Sequence, residues 1–438
     1  MLKKKSISDL TTAANCDSFI VSATPNRLNY NKSPMKESQK EDKVLVQEET
    51  GKLSDFKVFF SVLKGFCSCA ILLVPNAFYN GGWAFTTVVM LTCMGLNLIT
   101  CLILLEVSDK YPGTFSELGY LAYGTPCKIV CDLALSISQA SFVSAFVVFI
   151  IQNSDTIVLH LWGVTIDHWI LGGIVFLILC PLTWVRNIET YNKWHIFCEC
   201  STIAVLFTII CFGIAHVTEE GKPSDVRAFN SDNCVVVFGT CIYLFEGTGL
   251  ILPLKKTAKN PQNFSKVMVI SLCIFMAIVL AFGFSNYFSY GDKILRDSII
   301  ITKALPQDNI ILHFIRMVYF LCLFITAPLM LYPSNTIVES YLFRKNDKNN
   351  HYWHTNITRT IIIILITFIA VYFEETLDRL MSIVGSLTCT PVAFTLPAII
   401  HLKLVAKTKT QITLDIFLIT LSCFILTFVT GHNLYTWT

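Results

Sequence analysis

Apolar residues gather into eleven stretches along the chain, at 58–79, 83–105, 129–151, 166–185, 194–216, 234–253, 267–288, 310–332, 357–373, 380–402 and 413–435. At about 1.5 Å of rise per residue, each is about long enough to cross a hydrocarbon core of roughly 30 Å as a helix. The pattern predicts an all-α integral membrane protein with about eleven transmembrane helices. Residues 1–52 break it. They are rich in Lys, Glu, Ser and Asn and too poor in apolar side chains to offset the entropy of folding, so they read as a disordered tail ahead of a transmembrane domain at 53–438.

Composition agrees. Of 438 residues, 54% are hydrophobic and 14% charged, against a usual charged share of about 25% in soluble domains. Formal net charge is +3, and no Lys/Arg run is interleaved with aromatics, which argues against a nucleic-acid partner. Most of the 17 cysteines fall inside apolar runs, where Cys acts as a small hydrophobe. Without a CxxC pair, and with Cys234 alone near a predicted exofacial loop, neither a metal site nor an intrachain exofacial disulfide is expected. Lys3-Lys4-Lys5 opens a polar segment without the apolar core of a cleaved signal peptide, so the first span is expected to direct insertion.

Orientation follows from the basic residues, which stay on the cytoplasmic side during insertion. The segment through Lys64 holds 11 of the 33 Lys and Arg, and the loops that fall on the same side hold 15 more. The opposite face holds 6, from Lys222 to Arg379. The N-terminus is therefore expected in the cytoplasm and the C-terminus outside. The Asn-x-Ser/Thr triplets at Asn31, Asn263 and Asn356 all fall on the predicted cytoplasmic side, where glycosylation does not occur.

Two spans carry sequence that loosens a helix. The first contains Lys64-Gly65-Phe66-Cys67-Ser68-Cys69-Ala70-Ile71 and then Pro75; the sixth contains Phe245-Glu246-Gly247-Thr248-Gly249 and then Pro253. Small residues and proline weaken the hydrogen-bond ladder. Unwound backbone at membrane depth is tolerated only where it lines an enclosed or wet cavity. Ser68 precedes Pro75 by the same interval as Glu246 precedes Pro253, the spacing of a five-plus-five inverted repeat with one helix appended. Such breaks offer amide N–H groups to a carboxylate and carbonyls to an ammonium, which an amino acid zwitterion matches. Close packing of small residues between helices is the alternative reading of the same residues.

At these residues the chain resembles the amino acid/auxin permease family. The resemblance runs over nearly all of 57–435. It rests on Lys64-Gly65 with Leu72, Pro75, Ala77-Phe78 and Gly81-Gly82-Trp83, and on Phe238-Gly239, Phe245-Glu246-Gly247, Leu252-Pro253 and Asn260-Pro261. Tyr290-Gly291-Asp292, Pro328, Tyr332-Pro333, Gly385-Ser386, Pro391, Pro397 and His401-Leu402-Lys403 match as well. The resemblance implies the leucine-transporter fold, with substrate held between the first and sixth spans. It points to Ser68, Cys69, Ala70, Ile71, Phe245, Gly247, Thr248 and Gly249 as substrate-binding residues. Where relatives carry Gly-x-Gly, this chain has Ser68-Cys69-Ala70, which implies a tighter break and fewer free amides.

Ionisable residues inside spans are costly and mark functional positions. Glu246, at the sixth-span break, suits either a coupling proton or a carboxyl bonded to nearby backbone amides. Lys64 either snorkels to the cytoplasmic interface or pairs with Glu246. His195 and Glu199 are four apart on one face of the fifth span, as a proton relay or an interfacial pair. Arg316 in the eighth span gates or snorkels. Thr326 is the hydroxyl to consider as a sodium ligand, though a hard cation wants several oxygens. In the third span, Ser136, Ser138, Gln139, Ser141 and Ser144 form a polar stripe that lines a path or bonds across helices.

The chain lacks the Walker A, HExxH and GxSxG patterns, so no enzyme and no ATP-driven pump is expected. The reading is a secondary active amino acid transporter working by alternating access, proton-coupled rather than sodium-coupled and needing no other cofactor. Its home is a vacuolar, lysosomal or plasma membrane, with lipid and a small-molecule substrate as its partners. A nutrient sensor or receptor of the same fold, and a sodium-coupled carrier, remain as alternatives.

Overall fold

The computed structural model describes residues 53–66, 69–185, 195–296, 298, 300–305, 309–343 and 352–436. The tail expected at 1–52 and the residue Ser68 lie outside them. Helices α1 (Asp55–Phe66), α2 (Val74–Gly81), α3 (Trp83–Lys110), α4 (Phe115–Tyr123), α5 (Thr125–Trp162), α6 (His168–Trp184), α7 (His195–Glu220) and α8 (Cys234–Phe245) make the first part. Helices α9 (Thr248–Thr257), α10 (Phe264–Arg296), α11 (Ile310–Leu342), α12 (Tyr352–Tyr372), α13 (Leu377–Val384), α14 (Leu396–Leu404) and α15 (Lys409–Tyr435) follow. Among the described residues the β structure is one isolated bridge, Leu53 to Ala258.

Nine spans among the described residues are long and apolar enough to cross a bilayer, with α8 and α9 counted as one. The first predicted stretch forms α1 and α2, whose axes differ by 48°, and the fourth forms α6, a shorter apolar helix of 17 residues. Each apolar stretch read from the sequence thus has a helical counterpart, because a dry bilayer leaves a chain no cheaper way to satisfy its backbone. The short α4 is punctuated locally: Thr114 and Glu117 form a reciprocal capping box at its start, and Gly124 ends it.

Packing sorts the spans into two sets of four. The first (α1 with α2), second (α3), sixth (α8 with α9) and seventh (α10) pack on one another, and so do the third (α5), fourth (α6), eighth (α11) and ninth (α12). The fifth (α7) bridges α10 and α11. At the end of the first span Gly82 adopts φ +82 and turns the chain into α3. The backbone of Ala228 and Phe229 lies against it, and Trp83 N–H donates to the Arg227 carbonyl at 3.0 Å. A side chain at Gly82 would have neither the conformation nor the room.

The tenth span is the least regular. Between α13 and α14 it widens into two π-helical turns, Gly385–Cys389 and Pro391–Thr395, and Pro391 supplies no N–H to the ladder there. Its start packs closely on α8. A Cβ at Gly239 would meet the Ser382 carbonyl, and one at Gly385 would meet the Gly239 carbonyl. Ser382 Oγ donates to the Val236 carbonyl at 2.8 Å and accepts from Asn433 Nδ2 at 2.7 Å, which draws α15 into the same seam.

Because the obstruction at Gly385 is backbone, it cannot move aside as a side chain would. Gly385→Val is expected to cost at least about 1–3 kcal/mol in overpacking, seen as a lower unfolding temperature and less monodisperse protein in detergent. Gly173→Ala, with open space at the Cβ position, should behave like the parent in the same assay.

Candidate functional site

Helix α8 ends at Phe245 and α9 begins at Thr248. Between them Glu246 is extended (φ −72, ψ 126) and Gly247 has φ −165, ψ 6. The interruption is dry: Phe245, Glu246, Gly247 and Thr248 are all buried, and Gly249 is half-buried. Glu246 is 3% exposed, its carboxyl faces the amides of Thr248 and Gly249, and Cys101 and Cys389 flank it. Neither oxygen closes a hydrogen bond of standard geometry among the described residues. A carboxylate at the start of α9 is favoured there by the first unsatisfied N–H groups and the positive end of the helix dipole. Further on, Pro253 inside α9 removes the N–H that would have bonded the Gly249 carbonyl.

Opposite this break lies the first span. Helix α1 runs to Phe66, at the edge of the described residues, and a 3₁₀ turn over Cys69–Leu73 leads into α2, with Pro75 in the first turn of α2 where its missing N–H costs nothing. Ala70 and Ile71 are buried. The Cys69 side chain lies outside the described structure. The two spans touch through small residues. A Cβ at Gly247 would fall 2.7 Å from the Phe66 ring, and one at Gly65 would fall 3.2 Å from Leu250. Gly247 therefore faces the Phe66 ring.

The remaining ionisable residues gather elsewhere. Lys64, Glu199 and Thr326 line one narrow pocket with Cys198, Thr202 and Tyr319, between the first, third, fifth and eighth spans and with room for little more than water. Lys64 is 8% exposed and Glu199 4%, and one Glu199 oxygen closes no hydrogen bond among the described residues. Thr326 Oγ1 donates to the Cys322 carbonyl of its own helix at 2.8 Å. Arg316 lies nearer the start of α11, where its Nη2 donates to the Thr302 carbonyl at 2.6 Å and so ties the helix to the segment before it. His195 begins α7, and its side chain is outside the described structure. In the third span, Ser138 and Ser141 bond back to their own helix, while Tyr243 Oη of α8 donates to the Ser141 carbonyl at 3.2 Å.

One residue at this site escaped the sequence reading. Asn97 of α3 is buried beside the sixth-span break, bonded to the carbonyl of Phe245 and to the hydroxyl of Thr248. The signal was a lone Asn within an otherwise apolar stretch, which is costly to bury without a partner.

Residues 51–434 match the family described as transmembrane amino acid transporter protein. Vacuolar amino acid transporter 3 of Saccharomyces cerevisiae is 25% identical over 409 residues, covering 90% of this chain and 59% of that protein. Vacuolar amino acid transporter 4 of the same yeast is 28% identical, covering 81% and 53%. The chain thus spans between half and two thirds of the length of these yeast relatives. Amino acid transporter AVT3B of Arabidopsis thaliana is 25% identical, covering 83% of this chain and 88% of that one. Among solved structures, the inward-facing conformation of Mhp1 superposes with a TM-score of 0.61 at 9% identity, covering 88% of this chain and 91% of that one. A Na⁺-coupled sialic acid symporter superposes with 0.52 at 12% identity, covering 84% and 85%. Both have the leucine-transporter fold, and this chain shares it.

The contact of Gly247 with Phe66 yields a stability test. Gly247→Ala should cost about 1–3 kcal/mol, because the ring must move within a packed seam. Adding Phe66→Leu should recover part of that loss, so that the double variant unfolds at a higher temperature than Gly247→Ala alone. A double variant no more stable than Gly247→Ala would show that the ring is not what the methyl meets.

Proposed function

Because the chain belongs to the transmembrane amino acid transporter family, we propose that it is a secondary active carrier of amino acids. In this reading it is coupled to protons and works by alternating access, with substrate held where the first and sixth spans are interrupted. The observation that carries the reading is the dry stop between Phe245 and Thr248. Non-helical backbone inside a span is kept at a cost, and in carriers it is kept where it lines the substrate cavity. The 48° bend of the first span and the 3₁₀ turn at Cys69–Leu73 support a shared cavity. In this reading residues 69–71 and 245–249 form its walls.

Proton coupling is supported by Glu246, a carboxyl in a dry site where gain or loss of one proton changes the charge at the break. Sodium coupling is disfavoured by the make-up of the pocket that holds Thr326, whose hydroxyl already donates to the Cys322 carbonyl and is one oxygen where a hard cation wants several. The two sets of four spans supply the bodies that rock against each other. The yeast relatives are named vacuolar transporters. A vacuolar membrane, with the N-terminus in the cytoplasm, is the location the reading adopts.

Purified protein in liposomes with an imposed pH gradient is the test. Labelled amino acid uptake should saturate, show counterflow, collapse with a protonophore and be indifferent to replacing sodium by choline. Binding without flux would replace the carrier by a sensor. Glu246→Gln should stay folded and lose the pH response of uptake. An unchanged pH profile would remove Glu246 from coupling.

A further inference from the structure

The stop in the sixth span is bridged from outside by one side chain. Asn97, 1% exposed in the middle of α3, donates through Nδ2 to the carbonyl of Phe245, the last residue of α8. Its Oδ1 accepts from Oγ1 of Thr248, the first residue of α9, at 3.3 Å. Cys101 Sγ, one turn on, reaches the same Oδ1 at 3.6 Å. A single amide therefore holds both sides of the two residues that separate the half-helices.

The chemistry requires an amide. In an unbroken helix the Phe245 carbonyl would accept from the N–H of Gly249, but the extended Glu246 turns that N–H away. A carbonyl stranded in a dry span must find another donor. The Thr248 hydroxyl, at the other lip, needs an acceptor. Asparagine carries one of each on a rigid plane, whereas a carboxylate only accepts and a serine hydroxyl is too short to span both. The two bonds also set the offset between the half-helices, since each fixes one lip relative to the same rigid group.

We infer that Asn97 is a positioning residue of the substrate site, a brace that holds the two lips of the sixth-span break at the separation the substrate requires. The inference rests on the proposed carrier function for its kinetic consequence, but the brace itself is a property of the unloaded protein. Without it the Phe245 carbonyl and the Thr248 hydroxyl lose their common partner, and the break samples several openings. Substrate must then select one of them, which raises KM more than it lowers kcat.

The test compares Asn97→Leu, Asn97→Asp and Thr248→Val with Thr92→Val, a hydroxyl on the exposed face of α3. Two readouts apply to each: uptake kinetics in liposomes and hydrogen exchange of the 244–250 amides without substrate. Loss of the brace should raise KM about tenfold, equivalent to about 1.4 kcal/mol and the worth of one buried hydrogen bond. The fall in kcat should be smaller, and exchange should be faster at 244–250. Asn97→Leu and Thr248→Val should be non-additive when combined, because both open one circuit. Thr92→Val should leave both readouts as they were. Unchanged exchange at 244–250, or additive KM effects, would overturn the brace. If the Asn97 variants do not fold, Thr248→Val and its exchange pattern decide alone. If the parent carries nothing, the carrier reading fails, and the exchange arm still judges Asn97.

Discussion

Inside a bilayer there is no water to take up a main-chain N–H or C=O, so every polar backbone group must be met by the protein itself. The rest of this structure depends on that constraint. It makes the chain helical wherever it crosses, and it makes any interruption expensive enough to demand dedicated partners. At the sixth span both lips are met by side chains: Asn97 takes the Phe245 carbonyl, and the Glu246 carboxyl sits over the first amides of α9. The interruption is thus held in shape by the same rule that elsewhere forbids interruptions.

The partners come from the second and sixth spans, which ties the site to one set of four helices. Asn97 belongs to the second span, packed in the same set of four as the two interrupted spans. Across the divide, α8 meets the other elements through close approaches, with Gly239 and Gly385 letting backbone lie on backbone and Tyr243 bonding to the Ser141 carbonyl. The approach at Gly239 and Gly385 is of main chain on main chain, and a side chain at either would hold the helices apart. The π-helical turns at Gly385–Cys389 and Pro391–Thr395 fall beside this seam, where a regular helix would put its side chains out of step with α8.

Two of the several buried ionisable sites lie on the first and sixth spans. Glu246 sits alone in the break, while Lys64 and Glu199 share the narrow pocket between the first, third, fifth and eighth spans. Lys64 and Phe66 lie two residues apart on α1, which therefore borders both the pocket and the sixth-span break. Phe66 is the ring against Gly247.

Much of this was legible in one dimension. The length and apolarity of each stretch determined that the chain is an all-helical membrane protein, because lipid solvation acts on each segment by itself and requires nothing of its neighbours. The runs Lys64 to Pro75 and Phe245 to Pro253 marked where the ladder is weak, since proline and small residues act on their own turn. Glu246 stood out as a carboxyl where none is tolerated without cause. Partnership, by contrast, was decided only by the tertiary structure. Asn97 bonds a carbonyl 148 residues away, and nothing near it in sequence announces that choice. The same holds for Thr326 and Glu199 meeting Lys64 at one pocket while Arg316 is tied to Thr302. A hydrogen bond is satisfied by whatever the packing brings within reach, and the packing of helices far apart in sequence is a property of the whole molecule.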